Sequence, residues 1–240
     1  MTGKSRTAPV FADFCRPWLD QAEARLPEWA GHPELAEALA ARLSAAAARV
    51  LVAELAAWRE ARMLEGAGSE ERWEDFSRRV LALPGMQAHL RTAYPLLFPL
   101  LDNIAHHFSR NVGEALARWR ATGDGRTILR IHTGLSDPHA EGRSVIRFIF
   151  ENGEKLIYKP RSVRGEAWWA DFVAWWNASG VDPEMQLRAP AADDHGDYGW
   201  CECIETRESD EDVEASAWFF RQGVHLAITW LFGIEDCHFG

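Results

Sequence analysis

Two Asp-x-His triplets are the parts of this sequence whose residue types and spacing best suit chemistry. Asp137 and His139 lie in a stretch rich in Gly and Pro, and Asp236 and His238 lie within the last five residues. A carboxylate and an imidazole two positions apart in irregular backbone can point into one cavity and exchange protons near neutral pH. The same four side chains are also ligands for zinc or iron. The spacing therefore leaves a proton-transfer site and a metal centre open.

A lysine at the end of an apolar run is the third candidate. Lys159 follows Leu156–Tyr158 and precedes Pro160. Its ammonium group can hold phosphate oxygens as a fixed point charge. Protein kinases hold ATP with a glycine-bearing turn and a strand lysine, and here Gly142 precedes the strands. Glu166 is placed to pair with this lysine, although a solvent-facing lysine and a helix-capping acid give the same pattern.

The composition limits the class of protein. The chain has 240 residues, of which 47% are hydrophobic and 26% charged, so it can bury a sizeable core. We expect a cytoplasmic protein, because there is no apolar run of membrane-spanning length and no signal peptide at the start. The net charge of −10 disfavours a nonspecific nucleic-acid binder. The oligomeric state stays open.

Helical periodicity dominates the first half of the chain. Apolar residues recur at intervals of three and four from Pro33 to about Leu64 and from Tyr94 to Trp119. A shorter charged helix between them ends at Pro84-Gly85. The sequence therefore predicts a helical region over 1–126.

The pattern changes near Asp124-Gly125 to strands. Asn152-Gly153 separates two β-branched and aromatic runs, Ser144–Phe150 and Lys155–Lys159, which predicts a hairpin with a two-residue type I′ turn. A polar, Asp-rich loop is predicted at 193–197. The remaining predicted elements are a strand at Thr127–His132, a helix at Gly165–Ala178, a strand at 198–204, and a helix at Ala215–Ile234 that is buried on most sides.

Four strings of residues together resemble the dehydratase portion of class II lanthipeptide synthetases. They are SDPHAEGRSVIRF at 136–148, LIYKPRS at 156–162, YGWCECI at 198–204 and LFGIEDCHFG at 231–240. The resemblance extends from about Pro33 to Gly240. It implies an α+β fold, in which a helical region over 1–126 precedes a lipid-kinase-like N-lobe and the start of a helical C-lobe over 127–240.

The resemblance also implies a reaction. Such enzymes use ATP and Mg²⁺ to phosphorylate Ser and Thr of a ribosomal precursor peptide, and they then eliminate the phosphate. Carried over by motif, Lys159 contacts the ATP phosphates beneath the turn of Gly142, and Asp236 orients or deprotonates the peptide hydroxyl in a loop shared with His238. Asp137 and His139 match the pair associated with elimination.

The sequence departs from the family pattern at its end, because the family continues to an asparagine and an Asp-Leu-Glu string that bind magnesium. We therefore expect a fragment with little activity alone, and whether it is an enzyme stays open. Two alternatives remain: a noncatalytic remnant that binds a precursor peptide or a partner, and a metal-dependent hydrolase built on the two Asp-x-His pairs.

Overall fold

The computed structural model describes residues 10–138, 141–205 and 212–234. The chain divides into two compact units, Met1–Lys155 and Leu156–Gly240. Helices and antiparallel strands occur together, which confirms the predicted α+β class. The division into a helical region over 1–126 and a second domain over 127–240 stays a prediction.

Helices make up most of the first unit. Its described α-helices are α1 (Ala12–Arg25), α2 (Pro33–Glu60), α3 (Ser69–Glu74), α4 (Pro84–Ala93) and α5 (Leu97–Ala121), with a 3₁₀ turn at Pro27–Gly31 and a π-helical segment at Asp75–Val80. The long helices α2 and α5 confirm the two periodic segments of the sequence. Proline at the first position of α2 suits a helix start, because its missing N–H has no partner there in any case.

The long helices bury one face each, as their periodicity predicts. In α2 the fully buried residues follow one another at intervals of four, as Leu35, Leu39, Leu43, Ala47 and Leu51.

The last turn of α5 packs on a strand. The Trp119 ring lies 4.8 Å from that of Phe150 and 6.2 Å from that of Phe148. This contact joins the helices of the first unit to its strands.

The first unit contains an antiparallel strand pair. Strands β1 (Ile128–Thr133) and β2 (Ile146–Phe150) pair so that Thr133 lies opposite Ile146. Residues 134–145, called the 134–145 loop below, therefore begin and end at neighbouring positions. This loop carries Asp137 and Gly142.

The hairpin predicted after β2 is present, but its turn differs from the predicted type. The main-chain N–H of Phe150 donates to the carbonyl of Glu154, and that of Gly153 donates to the carbonyl of Phe150, both at 2.9 Å. Gly153 has a φ of +85°, whereas Asn152 does not adopt a positive φ. The two-residue type I′ prediction is wrong. The observed loop spans three residues, Glu151–Gly153, has its glycine in the left-handed region and leads into β3 (Lys155–Lys159).

The second unit contains a three-stranded antiparallel arrangement. β5 (Gly199–Glu202) pairs with β3 on one side and with β4 (Ala192–Asp194) on the other. The sequence predicts β5, although it overestimates its length. It misses β4, whose residues were assigned to an Asp-rich loop.

Two helices belong to the second unit, α6 (Arg164–Ala178) and α7 (Asp212–Phe232). The prediction that α7 is buried on most sides is wrong. Ile228 is buried with Val173 and Leu187, but Leu226 is 70% exposed and Trp230 is 82% exposed.

None of the described helices combines the length and the apolar content that crossing a membrane requires.

Candidate functional site

Lys159 forms an ion pair at the end of a strand. It is the last residue of β3 and lies opposite Gly199 of β5. Its Nζ lies 2.9 Å from Oε1 of Glu166, which stands in the first turn of α6. The two side chains are 24% and 22% exposed, so the pair is largely enclosed but open to solvent on one side. The predicted pairing of this strand lysine with the acid of the next helix is therefore present in the structure.

A second cation shares the carboxylate of Glu166. The Arg161 guanidinium donates to Oε1 at 2.6 Å and to Oε2 at 3.3 Å. Burial alone would raise the pKa of Glu166, but the hydrogen bonds from Arg161 and Lys159 outweigh burial and lower the pKa to about 2. Glu166 is therefore ionised at neutral pH, and it holds the Lys159 ammonium in one place.

The segment between β3 and α6 is fixed by a carboxylate of β4. Oδ1 of Asp194 accepts hydrogen bonds from the Ser162 hydroxyl at 2.8 Å and from the Val163 N–H at 2.7 Å. The hydrogen bond from Ser162 is the main cause that lowers the pKa of Asp194. Because this segment leads directly into α6, Asp194 fixes where the helix begins and therefore where Glu166 stands relative to Lys159.

Glycine at position 199 makes this arrangement possible. A Cβ atom at Gly199 would lie 2.1 Å from a methyl carbon of Val163 and 2.9 Å from the carbonyl oxygen of Asp193. Both distances are shorter than van der Waals contact. The connecting segment can therefore cross β5 only where β5 has no side chain.

The 134–145 loop carries two of the predicted site residues in the first unit. Asp137 is exposed. Gly142 has a φ of +75°, and a Cβ there would lie 2.8 Å from Cβ of His107 on α5. Glycine is thus required for packing of the loop on α5, and a role for Gly142 at phosphate stays a prediction.

Three of the predicted site residues lie outside the described residues. They are His139, Asp236 and His238. The structure therefore brings Lys159 together with Glu166, and the convergence of the two Asp-x-His pairs on this lysine stays a prediction.

A metal centre has no counterpart in the described part of the chain. Within it, no three His, Cys, Asp or Glu side chains form a group that could hold a metal ion. Cys15 and Cys201 are buried free thiols. The metal-dependent hydrolase alternative needs His139, Asp236 and His238, so it has no described site.

Sequence reasoning missed Arg161, Asp194 and Gly199. Arg161 stands two residues after Lys159 in the LIYKPRS string, so the sequence alone could have indicated that it lies near the site. The role of Asp194 depends on hydrogen bonds from Ser162 and Val163, which lie more than thirty positions before it in the sequence. No local pattern in the sequence indicates that contact.

Comparison with known proteins identifies the relatives of this chain. A family model described as "Domain of unknown function (DUF4135)" matches residues 84–240. The chain is also 22% identical, over 196 residues, to the Lacticin 481/lactococcin biosynthesis protein LcnDR2 of Lactococcus lactis subsp. lactis. The match covers 75% of this chain and 21% of the relative, so the chain spans about a fifth of that protein's length. The chain therefore belongs to the DUF4135 family and is related to class II lanthipeptide synthetases, as its motifs predicted.

Proposed function

We propose that this protein takes part in the ATP-dependent dehydration of Ser and Thr in a ribosomal precursor peptide during lanthipeptide biosynthesis. In this proposal the hydroxyl is first phosphorylated and the phosphate is then eliminated. The observation that carries the proposal is the enclosed ion pair between Lys159 and Glu166, which joins the end of β3 to the start of α6.

The geometry of Lys159 fits a phosphate of ATP. An ammonium has three donor hydrogens, and Glu166 accepts one of them at 2.9 Å, which leaves donors for phosphate oxygens. Phosphoryl transfer asks the protein mainly for positioning and for neutralisation of charge. Lys159 supplies the charge, and Glu166 fixes its position. This is the arrangement expected of a kinase-like lobe.

ATP bound here would supply the phosphoryl group, and the family pattern pairs it with Mg²⁺. The described residues contain no set of carboxylates suited to a magnesium ion, so none of them is assigned to it. Asp236 is proposed to orient the peptide hydroxyl or to accept its proton, in a loop with His238. Gly142 is proposed to contribute to the turn over the phosphates.

The second half of the reaction is proposed for Asp137 and His139. A base takes the α-proton of the phosphorylated residue, and the electrons of that C–H bond form the Cα=Cβ double bond. The Cβ–O bond breaks, and phosphate leaves with its electrons while an acid or a cation assists. Dehydroalanine forms from Ser and dehydrobutyrine from Thr. Asp137 is exposed, which keeps it accessible to a peptide.

The proposal is tested by incubating the protein with a candidate precursor peptide that contains Ser and Thr, with ATP and Mg²⁺. Intact-peptide mass spectrometry is expected to show the loss of water at Ser or Thr, dependent on ATP. A peptide that binds the protein but keeps its mass would contradict the proposal. That outcome would fit the noncatalytic, peptide-binding alternative.

A further inference from the structure

Two polar side chains of the helices, one buried and one half-buried, hold one end of the 134–145 loop. The Asn111 side chain on α5 is 3% exposed, and its Nδ2 donates to the carbonyl of Ser144 at 3.1 Å. The Arg42 guanidinium on α2 donates to the hydroxyl of the same serine at 3.1 Å, and it lies 5.0 Å from the ring centre of Phe108. Ser144 itself is 1% exposed. We call these two contacts with Ser144 the Ser144 clamp.

A second set of hydrogen bonds connects the residues beside Ser144 with the backbone of Asp137. The N–H of Val145, next to Ser144, donates to the hydroxyl of Ser136 at 3.1 Å, and the N–H of Leu135 donates to the carbonyl of Val145 at 3.4 Å. The Ser136 hydroxyl in turn donates to the main-chain carbonyl of Asp137 at 3.1 Å. The buried end of the loop thus positions the backbone of Asp137 through one serine.

Ion pairs on the outside of the loop add to this attachment. Arg110 of α5 pairs with Glu141 at 2.6 Å, and Arg143 pairs with Glu114 of α5 at 3.2 Å. All four side chains are partly exposed, at 26–59%, and ion pairs of this kind contribute little each. The Ser144 clamp is therefore the stronger determinant of where the loop lies.

The chemistry of the clamp argues for more than packing. Burying an amide is unfavourable unless it is hydrogen-bonded. Oδ1 of Asn111 is buried with no hydrogen-bond partner among the described residues. An apolar side chain at 111 would fill this space without that cost. What the amide provides, and an apolar side chain would not, is the hydrogen bond from its Nδ2 to the Ser144 carbonyl.

We propose that Asn111 and Arg42 are positioning residues for Asp137, so that the helices of the first unit control the elimination half of the reaction. This inference rests on the proposed function, since it assumes that Asp137 acts in elimination. Neither residue is proposed to touch the peptide or ATP.

The first test separates the two chemical steps. In Asn111→Leu and in Ser144→Ala, the share of phosphorylated peptide relative to dehydrated peptide is expected to rise about tenfold to hundredfold, because small misplacements of a reacting group carry penalties of that size. The rate of phosphorylation is expected to stay within about twofold. Asn103→Ala is the matched control, since it removes an exposed asparagine from the same helix. Ser144→Ala removes only a hydroxyl and serves if Asn111→Leu does not fold.

The second test needs no catalysis. Hydrogen exchange measured on the full chain is expected to show faster exchange at the Leu135 and Val145 amides in Asn111→Leu than in the unchanged protein. Asn103→Ala is expected to leave both amides as they were. Unchanged exchange at both amides in a folded Asn111→Leu protein would show that Asn111 does not hold the loop, and it would overturn the proposal.

Asp137→Ala separates failure of this inference from failure of the proposed function. If Asp137→Ala accumulates phosphopeptide and Asn111→Leu eliminates at the normal rate, the positioning role is overturned and the proposed function stands. If Asp137→Ala itself eliminates normally, the proposed role of Asp137 is wrong, and the positioning inference fails with it.

Discussion

Lys159 and Glu166 form the ion pair on which the proposed phosphate site rests. A strand-terminal lysine alone is uninformative, because such lysines usually face solvent. Its value comes from the acid at the start of the next helix, which the structure places 2.9 Å away. The shared carboxylate fixes an otherwise flexible ammonium, and a fixed ammonium is what a phosphate site requires.

Lys159→Ala is expected to abolish both phosphorylated and dehydrated peptide. Its affinity for ATP is expected to fall about tenfold or more, because a hydrogen bond to a charged group contributes about 1.5–3 kcal/mol. Isothermal titration with Mg-ATP and peptide mass spectrometry measure the two effects. Lys155→Ala, at the other end of β3, is the control and is expected to bind ATP as before. Unchanged dehydration in the Lys159 variant would refute the assignment.

The ion pair also predicts a dependence of stability on pH. Glu166 has a folded-state pKa of about 2 against an ordinary value of 4.5. A carboxyl whose pKa is lowered on folding stabilises the protein fully above its ordinary pKa, and this contribution is lost as the pH falls from 4.5 toward 2.

Glu166→Gln is therefore expected to lower the free energy of unfolding by about 1 kcal/mol at neutral pH, since solvent still reaches both partners. The difference from the unchanged protein is expected to shrink toward zero as the pH approaches 2. Urea denaturation at a series of pH values measures it. Glu184→Gln, at an exposed position, is the control and should show no such trend. A constant difference at all pH values would contradict the ion-pair account.

Among the elements, the segment that connects β3 to α6 crosses β5. This crossing depends on a single glycine, Gly199. A methyl group at Gly199 would overlap Val163 and the main chain of Asp193. Because the segment is also held by Asp194, it cannot move aside without losing those hydrogen bonds.

Gly199→Ala is expected to destabilise the protein by about 1–3 kcal/mol, as overpacking does. Gly165→Ala is the matched control, because a Cβ there meets nothing within 4 Å and the position lies at the start of α6. Its stability is expected to be unchanged or slightly higher. Chemical denaturation of both variants gives the comparison, and equal stabilities would show that the crossing can adapt.

The elements also show which parts of the fold the sequence predicts. Helices α2 and α5 follow from periodicity, and β3 follows from its apolar run and the turn before it. β4 was missed because Ala and Asp residues have low strand propensity, and it exists only through pairing with β5. The pairing of Lys159 with Glu166 was predicted because both lie in one short strand-to-helix unit. The contact of Asp194 with Val163 was not, because the two residues lie 31 positions apart in the sequence.

At the scale of the whole molecule, helix α7 presents an apolar stripe to solvent. Phe219, Leu226 and Trp230 recur at helical spacing and are 68%, 70% and 82% exposed, whereas Ile228 on the opposite side is buried. A helix that is apolar all round is normally buried, which is why the sequence predicted burial here. The sequence shows that these side chains are apolar and favour burial, but it does not specify which surface would cover them.

This stripe predicts association of the protein with itself at high concentration. Sedimentation velocity over a range of concentrations is expected to show a rising average mass. Leu226→Lys with Trp230→Lys is expected to suppress that rise. Arg221→Glu changes the charge at an exposed position on the other side of α7, seven residues before Ile228, and should leave the rise unchanged. A single mass at all concentrations for the unchanged protein would contradict the prediction.

The carboxylate shared by Lys159 and Arg161 has one more consequence, for how an anion enters. Glu166 is a resident counter-ion, so a phosphate bound at the proposed site would meet two cations and one carboxylate with a net charge of about +1. The phosphate would then bind beside Glu166 and would not displace it. Added salt should therefore reduce phosphate affinity less steeply than it would at the two cations alone.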